Sequence, residues 1–182
     1  MTFRTKLAAL GLSAALFAAQ ASHAETELSC YGGYQTAPHS VVTSPAGTDT
    51  VGWLGKSFAP PPYYGLRATV WNEKGFGWGV DINHAKVYAD TPADYGYERL
   101  EFTDGLNIVT ATVFQRYDRG GRFTPYLGAG LGVAVPHVDV RPVGGAHTFG
   151  YQLTGPAVKW VAGVSMPMGD RWKAFAEYTG TY

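Results

Sequence analysis

Tyr64-Gly65-Leu66-Arg67-Ala68-Thr69-Val70-Trp71, then Asn72-Glu73-Lys74-Gly75, then Phe76-Gly77-Trp78-Gly79-Val80-Asp81-Ile82-Asn83 is the stretch whose reading decides the fold. Both flanks alternate with a period of two, the signature of strands, and the polar Asn-Glu-Lys-Gly link between them is a tight turn. One face of the first flank carries Tyr64, Leu66, Ala68 and Val70, the other Gly65, Arg67 and Thr69. In the second flank Phe76, Trp78, Val80 and Ile82 oppose Gly77, Gly79, Asp81 and Asn83. Two further stretches repeat the pattern. Leu127, Ala129, Leu131, Val133 and Val135 oppose Tyr126, Gly128, Gly130 and Gly132, and Trp172, Ala174, Ala176 and Tyr178 oppose Lys173, Phe175, Glu177 and Thr179.

A soluble sandwich also alternates, but it hides its apolar face against a second sheet. Here the second face holds glycines and isolated charges, which suits the cramped, polar interior of a small barrel whose apolar face meets lipid. Arg67, Asp81, Arg116, Lys159 and Glu177 are expected to pair inside it. Phe76, Trp78, Trp172 and Trp71 stand near short turns, where an aromatic girdle belongs.

The remaining chain extends the reading. Strands are expected to start near Glu27, Tyr63, Phe76, Leu106, Thr124, Tyr151 and Trp172. The links at 72–75, 118–122 and 167–171 are short and polar, whereas 38–62, 89–105 and 138–150 are long. Short turns at one end and long loops at the other predict an all-β, antiparallel, up-and-down transmembrane β-barrel of the outer membrane of a Gram-negative bacterium. A sheet in lipid must close, and single-chain bacterial barrels have an even strand count, so eight strands are expected with about seven present and the closing strand missing beyond Tyr182.

The 182 residues carry 14 basic and 14 acidic side chains, 24 glycines and one cysteine, with only 15% charged. Such a balance argues against a nucleic-acid partner, a disordered tail and a disulfide scaffold. At the N-terminus Arg4 and Lys6 precede an apolar run over 7–17, and Ser22-His23-Ala24 offers small residues for a peptidase, so residues 1–24 read as a cleaved signal peptide and 25–182 as one barrel domain. Cys30 is no lipid anchor, because Glu27 occupies a position where a lipobox requires an apolar residue. It reads as a small apolar strand residue.

The histidines of the mature chain, His39, His84, His137 and His147, all fall beside long loops. Extending the alternation places His84 and Lys86 in the outward row of Ile82, and His137 and Asp139 in that of Val135; Val109, Ala111 and Val113 read as outward, which adds Asn107. His84, Lys86, Asn107, His137 and Asp139 then form one polar patch at the outer rim, at headgroup depth, next to lipopolysaccharide. That patch reads either as ordinary wetting of the rim, with Pro136 able to insert a bulge and reverse His137, or as a headgroup-binding or catalytic site. Histidine and carboxylate side chains ligate first-row metals, although the spacing matches no short metal motif. Glu101 and Asp104 are loop carboxylates that serve as a base, a ligand or a solvated turn. No flavin, nicotinamide or nucleotide loop is present in the sequence, and no Ser-His-acid arrangement stands out.

The strings YGGYQTAPHS at 31–40, PYYGLRAT at 62–69, NHAKVYAD at 83–90, LEFTDGLNIVT at 100–110, TPYLGAGLGVAVPHVDV at 124–140 and FGYQLTGPA at 149–157 resemble the lipid A oxidase family of outer-membrane barrels. The resemblance implies an enzyme that uses molecular oxygen to convert the proximal glucosamine of lipid A into 2-aminogluconate, with hydrogen peroxide released and divalent cations favouring activity. It carries no established catalytic residue over, and it implies a closing strand beyond Tyr182. Joined to the rim patch, it points to His84, His137 and Glu101 as catalytic candidates and to His84, His137 and Asp139 as ligands of a divalent metal. Lys86, Arg99 and Asn107 are then candidates for binding lipid A. The competing expectations are a non-enzymatic structural or surface-binding barrel and a lipid A hydrolase.

Overall fold

The computed structural model describes residues 24–44 and 47–182. The expected signal peptide, apart from Ala24, lies outside them. Eleven strands follow: β1 (Glu25–Gly32), β2 (Ser40–Ser44), β3 (Gly47–Val51), β4 (Trp53–Leu54), β5 (Tyr64–Trp71), β6 (Phe76–Ala89), β7 (Tyr97–Arg116), β8 (Thr124–Pro142), β9 (Thr148–Tyr151), β10 (Gly155–Pro167) and β11 (Lys173–Thr181). The backbone of the fold is a barrel-like antiparallel sheet in the order β1-β5-β6-β7-β8-β10-β11, with β4 added to β6 and β9 to β8. Consecutive long strands pair with their neighbours in up-and-down fashion, as the alternating short turns require.

The register confirms which side chains share a face. Arg67 lies opposite Asp81, Leu66 opposite Ile82, and Val113 opposite both Trp78 and Ala129. Leu66, Trp78, Val80, Ile82, Val113, Leu127, Leu131, Val158 and Trp160 are exposed, while Thr69, Asp81, Thr110, Thr112 and Lys159 are almost wholly buried. That inversion, apolar outside and polar inside, is the expected one. Glycine keeps the inside narrow: a Cβ at Gly132 would collide with the Val109 carbonyl, and one at Gly130 with the Thr112 hydroxyl.

An ion-pair network crosses the interior. Arg67 Nε donates to Asp81 at 2.7 Å, and its two terminal nitrogens donate to Glu177 at 2.9 and 2.7 Å. Lys159 Nζ lies 2.6 Å from Asp81, which also accepts from the Tyr31 hydroxyl at 2.9 Å, and the Tyr126 hydroxyl donates to Glu177. Arg116 pairs at the short-turn mouth with Glu25 at 2.8 Å. All five interior charges expected to pair do so.

Four expectations need correction. Trp71 does not join the girdle: it is 6% exposed, packs on Phe114 and lies beneath the Arg116 guanidinium, because its parity is that of Arg67 and Thr69. The strand placed near Leu106 begins at Tyr97, since pairing with β8 continues above the apolar band. The strand placed near Tyr151 begins at Gly155, and residues 148–151 form β9 instead. The long links are also partly structured, with a β2–β3 hairpin over 40–51 and a short 3-10 turn at Pro92–Tyr95. Among the described residues no backbone pairing joins β1 to β11, so the sheet has an open seam, bridged by side chains such as Lys173 Nζ to Glu27 at 3.2 Å.

Candidate functional site

Above the apolar band, β6, β7 and β8 continue together, and the register sets one outward row across the upper ends of four strands: Tyr64 opposite His84, His84 opposite Asn107, Asn107 opposite Val135. The next row up is disturbed. On β7 the stretch between Glu101 and Leu106 contains more residues than the matching stretches of β6 and β8, and both pairings shift register there. The surplus forms a bulge at residues 102–105. Gly105, at a φ of 99°, takes the turn that a side chain would resist, and a Cβ there would strike the His84 ring. Because the bulge is on β7, His137 keeps the outward parity that a bulge at Pro136 would have reversed.

His84 is held on three sides. Its ring stacks on Tyr64 with centroids 5.0 Å apart and planes 21° from parallel, Gly105 closes against it, and Nδ1 is 2.9 Å from Asn107 Oδ1. Its Nε2 is buried and has no hydrogen-bond partner among the described residues. His137 sits two strands away on β8, with Nδ1 3.6 Å from the Asp104 carboxylate and its ring edge-on to Phe149 and Tyr151 of β9.

A third cluster surrounds Asp139, which lies opposite Glu101. Arg99 Nη1 donates to one Asp139 oxygen at 2.8 Å, His147 Nε2 is 2.7 Å from the other, and Arg99 Nε reaches Glu101 at 3.5 Å. The Asp139 and then the Glu101 carboxylate hold the Arg99 pKa above its ordinary value. Lys86 is buried, with Nζ on the Pro60 carbonyl at 2.6 Å and within 3.4 Å of the Tyr88 hydroxyl. Lys56 stands over the Tyr88 ring at 3.9 Å. Burial raises the Tyr88 pKa, the Glu101 and Asp104 carboxylates add to the rise, and Lys56 opposes it.

Comparison of the chain with protein-family models, with curated proteins and with solved structures finds no match.

The structure brings His84 and Asn107 into direct contact, and Arg99, Glu101 and Asp139 into another group. It does not bring His84, His137 and Asp139 into one ligand set. Both Asp139 oxygens are engaged by Arg99 and His147, His137 Nδ1 faces Asp104, and no group of three or more His, Cys, Asp or Glu among the described residues is placed to hold a metal. From the sequence, Tyr64 and Tyr151 are strand residues and His147 a histidine beside a long loop, none of them tied to the rim patch, although register across from His84 points to Tyr64. Arg99 and Glu101 were candidates, but their partnership through Asp139 needed the fold.

Proposed function

We propose that the chain is an outer-membrane β-barrel enzyme that oxidises the proximal glucosamine of lipid A to 2-aminogluconate with molecular oxygen. The observation that carries this reading is the rim itself: buried histidines, His84 and His137, face outward directly above a band of exposed Leu, Ile, Val and Trp. An outward apolar band is stable in acyl chains and not in water, so the groups just above it stand at the depth of lipid headgroups. A surface with no chemistry to perform has little reason to bury two imidazoles there with a ring nitrogen of each lacking a hydrogen bond among the described residues.

The reaction fits that location. The sugar hemiacetal loses its hydroxyl proton and its C1 hydrogen with an electron pair, a C=O bond forms, and oxygen is reduced to hydrogen peroxide. Water then opens the lactone to the acid, one oxygen heavier than the starting sugar. His84 or His137 supplies the base, Glu101 a secondary one, and Arg99 meets anionic groups of the substrate.

The deciding measurement is mass spectrometry of 1-dephosphorylated lipid A incubated with oxygen and membranes containing the protein. A product heavier by one oxygen, with peroxide in equal amount, supports the oxidase. Unchanged lipid returns the reading to a structural or surface-binding barrel, and loss of an acyl chain to a hydrolase.

A further inference from the structure

We infer that Asn107 is a positioning residue that fixes the proton of His84 on Nδ1, so that the buried Nε2 presents a lone pair as the proton acceptor of the rim site. The catalytic half of this inference rests on the function proposed above; the tautomer half does not.

The amide of Asn107 has only one reasonable orientation. Its Nδ2 lies 3.3 Å from the carbonyl oxygens of Gly105 and Val135 and 3.4 Å from that of Asp104. Three carbonyls accept from an NH2 and repel an oxygen, so Oδ1 is the atom turned to His84. Oδ1 accepts only, which makes Nδ1 of His84 the donor across their 2.9 Å contact. In the neutral ring the second nitrogen then has no proton. Nε2 is the atom left buried without a partner, on a residue 5% exposed. An N–H buried there would carry the full desolvation cost of an unmade hydrogen bond, and a lone pair without a partner is a base waiting for a donor.

The surroundings keep the ring in this pose. Tyr64 stacks on one face, and Gly105 leaves no space for a side chain beside Nδ1 and the adjacent ring carbon. When the hemiacetal hydroxyl gives its proton to Nε2, the imidazolium keeps its Nδ1–H on Asn107 Oδ1, whose negative end stabilises the new charge. The C1 hydrogen and the electron pair go to oxygen, so nothing further is required of the ring.

The test uses the full chain refolded in nanodiscs with 15N-labelled histidine. In wild type the His84 resonances should show a protonated Nδ1 and an unprotonated Nε2. Asn107→Leu, which places an apolar side chain on an apolar outer row, should release the ring to the Nε2–H tautomer favoured in water. Turnover in that variant should fall about 10- to 100-fold with KM nearly unchanged. Imidazole added to His84→Ala should restore part of its turnover, and less in His84→Ala combined with Asn107→Leu. An Nε2–H tautomer in wild type, or a tautomer unmoved by Asn107→Leu, overturns the lock. Wild-type turnover in His84→Ala overturns the acceptor role even with the lock intact. A barrel with the locked tautomer and no lipid oxidation overturns the proposed function and the acceptor role while leaving the tautomer assignment standing.

Discussion

The guanidinium of Arg67 on β5 grips the carboxylate of Glu177 on β11 through two parallel hydrogen bonds, 2.9 and 2.7 Å long, across the inside of the sheet. The two residues are 110 positions apart and belong to strands that do not pair with each other. A fork of this kind has defined geometry, so it sets how closely the two ends of the sheet approach. Arg67 also holds Asp81, which holds Lys159 and Tyr31, so one guanidinium ties β1, β5, β6, β10 and β11 together.

Removing one partner of a buried pair leaves a charge without compensation, a loss of about 3–5 kcal/mol, whereas removing both is far milder. Arg67→Met combined with Glu177→Leu should therefore destabilise the barrel by less than the sum of the two single substitutions. Urea unfolding in detergent, followed by tryptophan fluorescence, measures both. Additive effects would mean that the pair is not coupled.

The glycines facing the lumen on β8 give a second expectation. Gly132 approaches the β7 backbone so closely that a Cβ would meet the Val109 carbonyl, while Gly33 and Gly121 have open space around them. Gly132→Ala should disturb the β7–β8 pairing and lower folding yield, and Gly121→Ala should fold like wild type. The ratio of folded to unfolded bands on an unheated gel reads the difference; equal yields would mean that the two strands separate readily at this point.

Alternation reveals the outer and inner faces because successive side chains of a strand point to opposite sides of the sheet, and Arg67, Asp81, Lys159 and Glu177 are assigned to the interior on that basis alone. The upper rim followed the same rule only part of the way. Asn107 and His84 were placed on one face by parity, but their hydrogen bond depends on β7 and β6 being neighbours in register. The stretch from Leu100 to Gly105 read as a loop because its bulge breaks the period, and a bulge is determined by what two partner strands demand, not by local propensity. Trp71 was misplaced for a simpler reason: proximity to a turn outweighed its parity. His147 is one of the loop-flanking histidines, but its contact with Asp139, made from beyond a chain reversal, is not visible in the sequence.

Arg99 and His147 both depend on Asp139. Asp139→Asn removes the charge while keeping the shape, so Arg99 retains only Glu101 as an ionic partner among its described contacts and His147 loses its own. If Arg99 binds anionic groups of lipid A, freeing it should weaken their orientation, raising KM several-fold with a smaller effect on kcat. Steady-state oxidation of lipid A separates the two constants. An unchanged KM would assign the cluster to loop packing.

Tyr88 supplies a pH test above the band of exposed apolar side chains. Its pKa is raised, first by burial and then by Glu101 and Asp104, so the folded state holds the phenolic proton more tightly than the unfolded chain does. The resulting contribution to stability is fully present below the unfolded value near 10 and is lost as pH climbs through the folded one. The difference in phenolate absorbance between wild type and Tyr88→Phe should show a transition above pH 10. Glu101→Gln should move that transition back toward the ordinary value, since it removes the carboxylate that faces Tyr88 across the β6–β7 pair, whereas Lys56→Met should move it further up. Opposite displacements in these two variants would establish that the rim charges act on one shared site, and a transition indifferent to both would separate Tyr88 from the cluster altogether.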